Sequence, residues 1–182
     1  MTIALVILST TLAQAGKLPE GWARSTVPEF GLSVVSPKEV KRTEQTDKDR
    51  DGKDVKFTLL HSTDGPLSFI VAVSEFDKDY IKQDKKKIFD NARDGSAARS
   101  KGKTVRDKEV KLGKLEGREF VTEVGDTAAY VRARVFVANE KQYSAMVAGK
   151  TKKDVDSDLA NRFLDSLRIS APQKSGKVKK SG

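Results

Sequence analysis

The chain has no cysteine and a single histidine among its 182 residues, and these scarcities remove several kinds of chemistry at once. Without thiols there is no disulfide framework, no lipidated cysteine anchor and no thiolate nucleophile. One imidazole, His61, leaves too few of the usual ligands for a zinc site. A serine hydrolase needs its hydroxyl beside a base. His61 does lie next to Ser62 and near Asp64, but close neighbours on an extended strand point apart, so no triad is read there. The glycine-rich phosphate and dinucleotide motifs are also missing. No catalytic residue, cofactor or enzymatic activity is expected.

Long apolar runs are equally rare. Ile3 to Leu12 is almost wholly apolar, yet shorter than the roughly 20 helical residues that cross a bilayer. It ends in Ala13-Gln14-Ala15, the small-x-small pattern that signal peptidase reads, although no Lys or Arg precedes it. The expectation is a removable signal peptide over 1–15 and a protein exported to the periplasm or beyond the cell. Segment 16–29 is broken by Pro19, Gly21 and Pro28 and reads as a lead-in whose Trp22 docks on the domain. Residues 30–171 form one domain, and 172–182 a disordered basic tail.

What is present is charge, at 34% of residues, around a 37% hydrophobic fraction. That is the composition of one folded domain with a polar surface. Thirty-five basic residues face 26 acidic ones, a balance of +9. Four of the basic ones, Lys174, Lys177, Lys179 and Lys180, lie in the tail, so the rest of the chain carries +5. The bases are interleaved with acids, and no specific nucleic-acid recognition is expected.

Patterning places strands at Phe30 to Val35, at Val55 to Leu59, and at Leu67 to Phe76 after the turn Asp64-Gly65-Pro66. The last is apolar on both faces, which suits the middle of a sheet. Thr43 to Asp54 reads as a charged loop. Asp79 caps a surface helix with Ile81, Ile88, Phe89 and Ala92 on one stripe and Gly95 near its end. Four strands follow, Thr104 to Val110, Leu115 to Val124, Thr127 to Ala138 and Gln142 to Ala148, with Gly125-Asp126 and Asn139-Glu140 as two-residue turns. A second helix starts at Asp154, buries Val155, Leu159, Ala160, Phe163, Leu164 and Leu167, and has acids at its start and Arg162 and Arg168 near its end. The sum is an α+β fold, a mostly antiparallel sheet of six or seven strands flanked by two helices.

Three stretches carry a family likeness: Phe30-Gly31-Leu32-Ser33-Val34-Val35-Ser36-Pro37, Val131 to Val137 leading to Tyr143, and Phe163-Leu164-Asp165-Ser166-Leu167-Arg168. On these the chain resembles the PsbP-like superfamily, typified by the lumenal extrinsic subunit of photosystem II and sharing its fold with the Ran-binding Mog proteins. The resemblance covers roughly Trp22 to Ser170. It implies a PsbP-like sandwich and an extracytoplasmic accessory module that binds another protein, and it transfers no catalytic residue.

Two candidate sites remain. Asp47-Lys48-Asp49-Arg50-Asp51-Gly52 matches the first half of a calcium loop. The second half fails, because Asp54 stands at the aliphatic position and Thr58 where a bidentate Glu belongs. The loop is either solvated, with Lys48, Arg50 and Lys53 balancing its acids, or a loose calcium site on Asp47, Asp49 and Asp51. The second candidate is a sheet face. The proposed turns put Tyr130, Arg132, Arg134 and Phe136 on one side, with Tyr143 opposite Phe136, Glu119 opposite Arg132 and Gly117 opposite Arg134. This face is either an internal ion pair and aromatic pair under a helix or a partner-binding patch in which Arg134 is the more available arginine. The alternative surface is the Lys-rich helix from Lys82 to Arg99 with the tail, directed at anionic polymers or membranes.

Overall fold

Alternating side chains decide where the long strands form and which way they face. In a computed structural model of the chain, which describes residues 18–48, 52–76 and 78–170, β1 (Trp22–Val27) leads through a 3-10 turn at Pro28–Phe30 into β2 (Leu32–Pro37). Then come β3 (Lys41–Lys48), β4 (Asp54–Asp64) and β5 (Leu67–Glu75), followed by α1 (Lys78–Ile81) and α2 (Lys85–Arg99). Strands β6 (Lys103–Leu112), β7 (Leu115–Glu123), β8 (Tyr130–Ala138) and β9 (Lys141–Gly149) precede α3 (Lys152–Val155), α4 (Asp158–Ser166) and the short β10 (Arg168–Ile169). The expected signal peptide, the basic tail, Asp49 and Asp51 lie outside the described residues.

Seven strands form one antiparallel sheet in the order β3-β4-β5-β9-β8-β7-β6, and β1-β2-β10 make a smaller one. The doubly apolar β5 lies inside the sheet, between β4 and β9. The small sheet with α3 and α4 covers one face, and α2 lies on the other over β6, β7 and β8. The main core fills the first interface, where Phe69 sits 5.1 Å from both Trp22 and Phe163, ring to ring. Two buried hydrogen bonds close that layer. Ser166 Oγ accepts from the Val35 amide at 2.7 Å, and Tyr143 Oη donates to the Phe30 carbonyl at 2.9 Å. The stretches that carried the family likeness meet here, which is why they read as packing signatures.

Several elements differ from expectation. Trp22–Val27, expected in an irregular lead-in, pairs with β2 from Trp22↔Pro37 to Val27↔Leu32. The first half of the charged stretch from Thr43 lies in β3, an edge strand exposed at all eight positions. It buries neither face, so it has no period-2 hydrophobic signal, and its charges guard the edge against further pairing. The first helix is split: Asp84, not Asp79, caps α2 by accepting from the Lys86 amide. The second is split as well, with a Thr151–Asp154 capping box on α3 and Ser157 capping α4. Each polar side chain satisfies backbone amides that a continuous helix would have paired internally.

Candidate functional site

The β8 face, read from the sequence as either an internal ion pair and aromatic pair or a partner-binding patch, is largely filled by the protein itself. Arg132, Phe136 and Tyr143 are buried, while Tyr130 and Arg134 are partly buried. Phe136 pairs with Tyr143 as the Asn139-Glu140 turn requires, both turn residues having positive φ. The β7–β8 pairing, however, is displaced by two residues. Glu119 faces Arg134, Val121 faces Arg132, and Gly117 faces Phe136. The connection is six residues long, closed by a Val124 amide to Ala129 carbonyl bond of 2.8 Å. A Cβ on Gly125 would strike the Lys101 carbonyl, so the turn is set by its close approach to the chain after α2. A two-residue shift keeps every side chain on its face, which is why alternation alone could not distinguish the registers.

Both arginines converge on Glu119, which has no exposed surface. Its Oε2 accepts from Arg132 at 2.9 Å and from Arg134 Nε at 2.7 Å. Arg132 also donates to the Val155 carbonyl and to Asn161 Oδ1, and Arg134 to Asp165 at 2.6 Å. Arg106 forks onto Asp156 with bonds of 2.9 and 2.7 Å, and Lys108 lies 3.3 Å from Glu119 Oε1. Burial disfavours the Glu119 charge, yet the bonds from Arg132 and Arg134 prevail and hold its carboxyl down at about 2. The Arg106 bond likewise holds Asp156 below the usual carboxylate range. This network ties α3 and α4 to the sheet, and Arg134, expected to be the available arginine, has two carboxylate partners.

The register itself is testable at Gly117, where a Cβ would run into the Phe136 ring and the Val135 carbonyl. Gly117→Ala should destabilise by roughly 1–3 kcal/mol, the usual range for overpacking. Part of the loss should return in Gly117→Ala/Phe136→Leu, measured by denaturant midpoints as a double-mutant cycle. Additive effects would speak against this pairing.

The opposite face of the sheet is only partly covered. Ile88 and Phe89 of α2 are buried, and Phe89 packs with Phe120, Ala133 and Val135. Ala92 packs against the edge of this cluster, and beyond it the helix carries only the small Gly95 and Ser96 towards the cleft. A cleft of about 690 Å³ remains between α2 and strands β4, β5, β9 and β8. That volume is ligand-sized. Its floor includes Val55, Ala72, Ala133, Val135 and Met146. The Phe76 and Tyr80 rings, stacked at 4.2 Å, stand at one end. Ser74, Gln142 and Ser144 add polar atoms to the floor. Gln142 is 8% exposed and its Oε1 has no hydrogen-bond donor; Gln83 Oε1 is likewise buried and unpartnered. Along the rim, Lys87, Asn91, Gly95 and Arg99 of α2 follow at four-residue steps, forming one ridge, and Gln83 lies in the turn before the helix. In the sequence, Ala92 and Gly95 read only as helix residues and Lys87 and Arg99 only as part of the Lys-rich surface, while Gln83, Ser74, Gln142 and Ser144 carried no signal. The available signal was the run of small and polar residues where the inner stripe of α2 should have stayed apolar.

The remaining candidates fall elsewhere. Asp47 ends β3 and its Oδ1 accepts from the Lys48 amide, while Lys48 pairs with Asp54 at 2.6 Å. Among the described residues no group of three His, Asp or Glu side chains is placed to hold a metal. Ser62 is buried in the first interface, whereas Asp64 accepts from Trp22 Nε1 at 2.9 Å. No helix of the described residues is long and apolar enough to cross a membrane.

Order of strands, two-sided cover and core together define a PsbP-like α+β sandwich. Cyanobacterial PsbP from Synechocystis sp. PCC 6803 is similar at 12% identity over 85% of this chain and 96% of that one, with a TM-score of 0.58. Weaker likenesses are to a protein from Bacteroides thetaiotaomicron VPI-5482 (TM-score 0.46, 12% identity), of which this chain spans 49%, and to a protein of unknown function from Pseudomonas aeruginosa (TM-score 0.40, 10% identity). They cover 85% and 74% of this chain, the latter 86% of its counterpart. No protein-family model and no curated sequence matches the chain.

Proposed function

We propose that this protein is an exported, non-enzymatic accessory module that works by holding a partner or ligand in the cleft between α2 and the large sheet. The observation that carries this reading is Gln142, a buried carboxamide with an unpartnered acceptor, on the apolar floor of a ligand-sized cleft. An unmade buried hydrogen bond costs about 1–3 kcal/mol, so a group that supplied the donor there would be favoured. The face with Glu119, Arg132 and Arg134 supports the same reading by exclusion, since its charges are spent on α3 and α4. The likeness to cyanobacterial PsbP supports an accessory role, and the apolar run ending in Ala13-Gln14-Ala15 supports export.

The test is capture from the envelope fraction of the source organism by the wild type and by Gly95→Leu. A side chain at Gly95 meets only the far end of Arg99 and improves helix propensity, so this variant should fold and obstruct the cleft. The captured species should disappear with Gly95→Leu, and protein recovered from the same fraction should have the mass of a chain beginning at Gly16. Equal capture by both would remove the cleft from the mechanism. A second reading rests on Lys85, Lys86 and Lys87, adjacent and exposed on α2. An anionic polymer or membrane partner would bind there with an affinity that falls steeply with salt.

A further inference from the structure

The geometry points to a specific ligand class for the α2 cleft: an amphiphilic monocarboxylate whose apolar body carries a hydrogen-bond donor, an amide N–H or hydroxyl, part-way along it. This inference rests on the cleft reading above and narrows it.

Three features of the cleft select the three parts of that ligand. The partly exposed apolar side chains that line the cleft, Phe57, Phe76, Ala92 and Met146, favour an apolar body, because its burial removes apolar surface from water on both partners. Gln142, buried on the floor, has an acceptor Oε1 without a donor, so the body must bring an N–H or O–H to it. A plain hydrocarbon chain would leave that acceptor unmet and bind less well. On the rim, Lys87 and Arg99 are exposed, and no carboxylate among the described residues is ion-paired with either. Across the cleft, Lys48 is neutralised by Asp54 and Asp47 is turned to its own strand. The mouth is therefore cationic on the helix side. The two cations stand about 18 Å apart along the helix at ~1.5 Å per residue, so one head group engages one of them. A single carboxylate fits this arrangement, and a cationic amphiphile would be repelled at the mouth.

The probes are N-dodecanoylglycine, which has the chain, the amide and the carboxylate; dodecanoate, which lacks the amide; and N-dodecanoylethanolamine, which lacks the charge. Each is titrated calorimetrically, below its micellar concentration, against the full chain. N-dodecanoylglycine should bind saturably at one site. Dodecanoate should bind about fivefold less tightly, the worth of one net hydrogen bond. The neutral amide should bind about tenfold less tightly, as for a charge-assisted contact. Gln142→Leu exchanges an unpaired carboxamide for an apolar side chain of similar size, so the protein should stay folded and lose its preference for the amide probe. Gly95→Leu should abolish binding of all three.

Equal affinity for the three probes, or an amide preference that survives Gln142→Leu, would overturn the ligand class. So would displacement of N-dodecanoylglycine by an amidated apolar peptide without a carboxylate, which would assign the cleft to a protein segment. If no amphiphile binds while Gly95→Leu still loses the captured species, this inference alone fails. If Gly95→Leu captures normally, the cleft reading itself fails.

Discussion

Glu119→Ala is expected to lower the unfolding free energy by roughly 3–5 kcal/mol, the cost of breaking a buried ion pair by removing one partner. The size follows from what remains. Arg132 is 5% exposed and would keep Asn161, the Val155 carbonyl and a 3.4 Å approach to Asp156. Arg134 would keep Asp165, whose side chain is 64% exposed. Neither set replaces a carboxylate with no solvent contact. Arg132→Ala should cost about as much, because Glu119 is left with the less buried Arg134 and the α3–α4 corner loses its bonds at the Val155 carbonyl and Asn161. Arg134→Ala should cost less, about 1–3 kcal/mol, since Glu119 retains Arg132. Denaturant midpoints at neutral pH rank the three variants. A Glu119→Ala loss under about 1 kcal/mol would place the pair among solvent-screened surface bridges and refute its role in holding the helices to the sheet.

The second large effect is acid sensitivity with a defined window. Glu119 titrates near 4.5 when exposed and at about 2 in the fold. Between those values the unfolded chain binds the proton and the native one does not, so stability falls as pH drops. The contribution is complete above pH 4.5 and is lost as pH falls through 2. A shift of that size corresponds to on the order of 3 kcal/mol. Asp156, lowered chiefly by Arg106, and Asp107, lowered chiefly by Arg118, act in the same direction. Unfolding free energy measured from pH 6 to 2 should therefore slope more steeply in the wild type than in Glu119→Gln. Should that variant be too unstable to compare, carboxyl NMR of the wild-type protein gives the same answer. A Glu119 resonance titrating near 4.5 in the folded state would show that the arginines do not outweigh burial.

The PsbP-like reading rests on residues that fill the interior, and interiors are what hydrophobic patterning records. The alternation of Val55, Phe57 and Leu59 marked β4, the continuous apolar run from Leu67 marked an inner strand, and the stripe of Val155, Ala160, Phe163 and Leu164 marked the helical cover. Asn139-Glu140 even set the β8–β9 register, because a two-residue turn with positive φ leaves no slack. These determined the fold class. Tertiary structure decided the rest. Strand β3 forms by backbone pairing alone, with no buried face to imprint a period on its side chains. The β7–β8 register was ambiguous by two residues, because such a shift preserves both faces; contact between Gly125 and the chain after α2 resolves it. The same shift gave Arg134 to Glu119 and Phe136 to Gly117, so that both arginines share the internal ion pair that was one of the two sequence readings of this face. The cleft was the least legible feature. It arises where three small helix residues, Ala92, Gly95 and Ser96, face Ala72, Gln142 and Ser144 from distant strands, and a gap between elements belongs to no single stretch of chain.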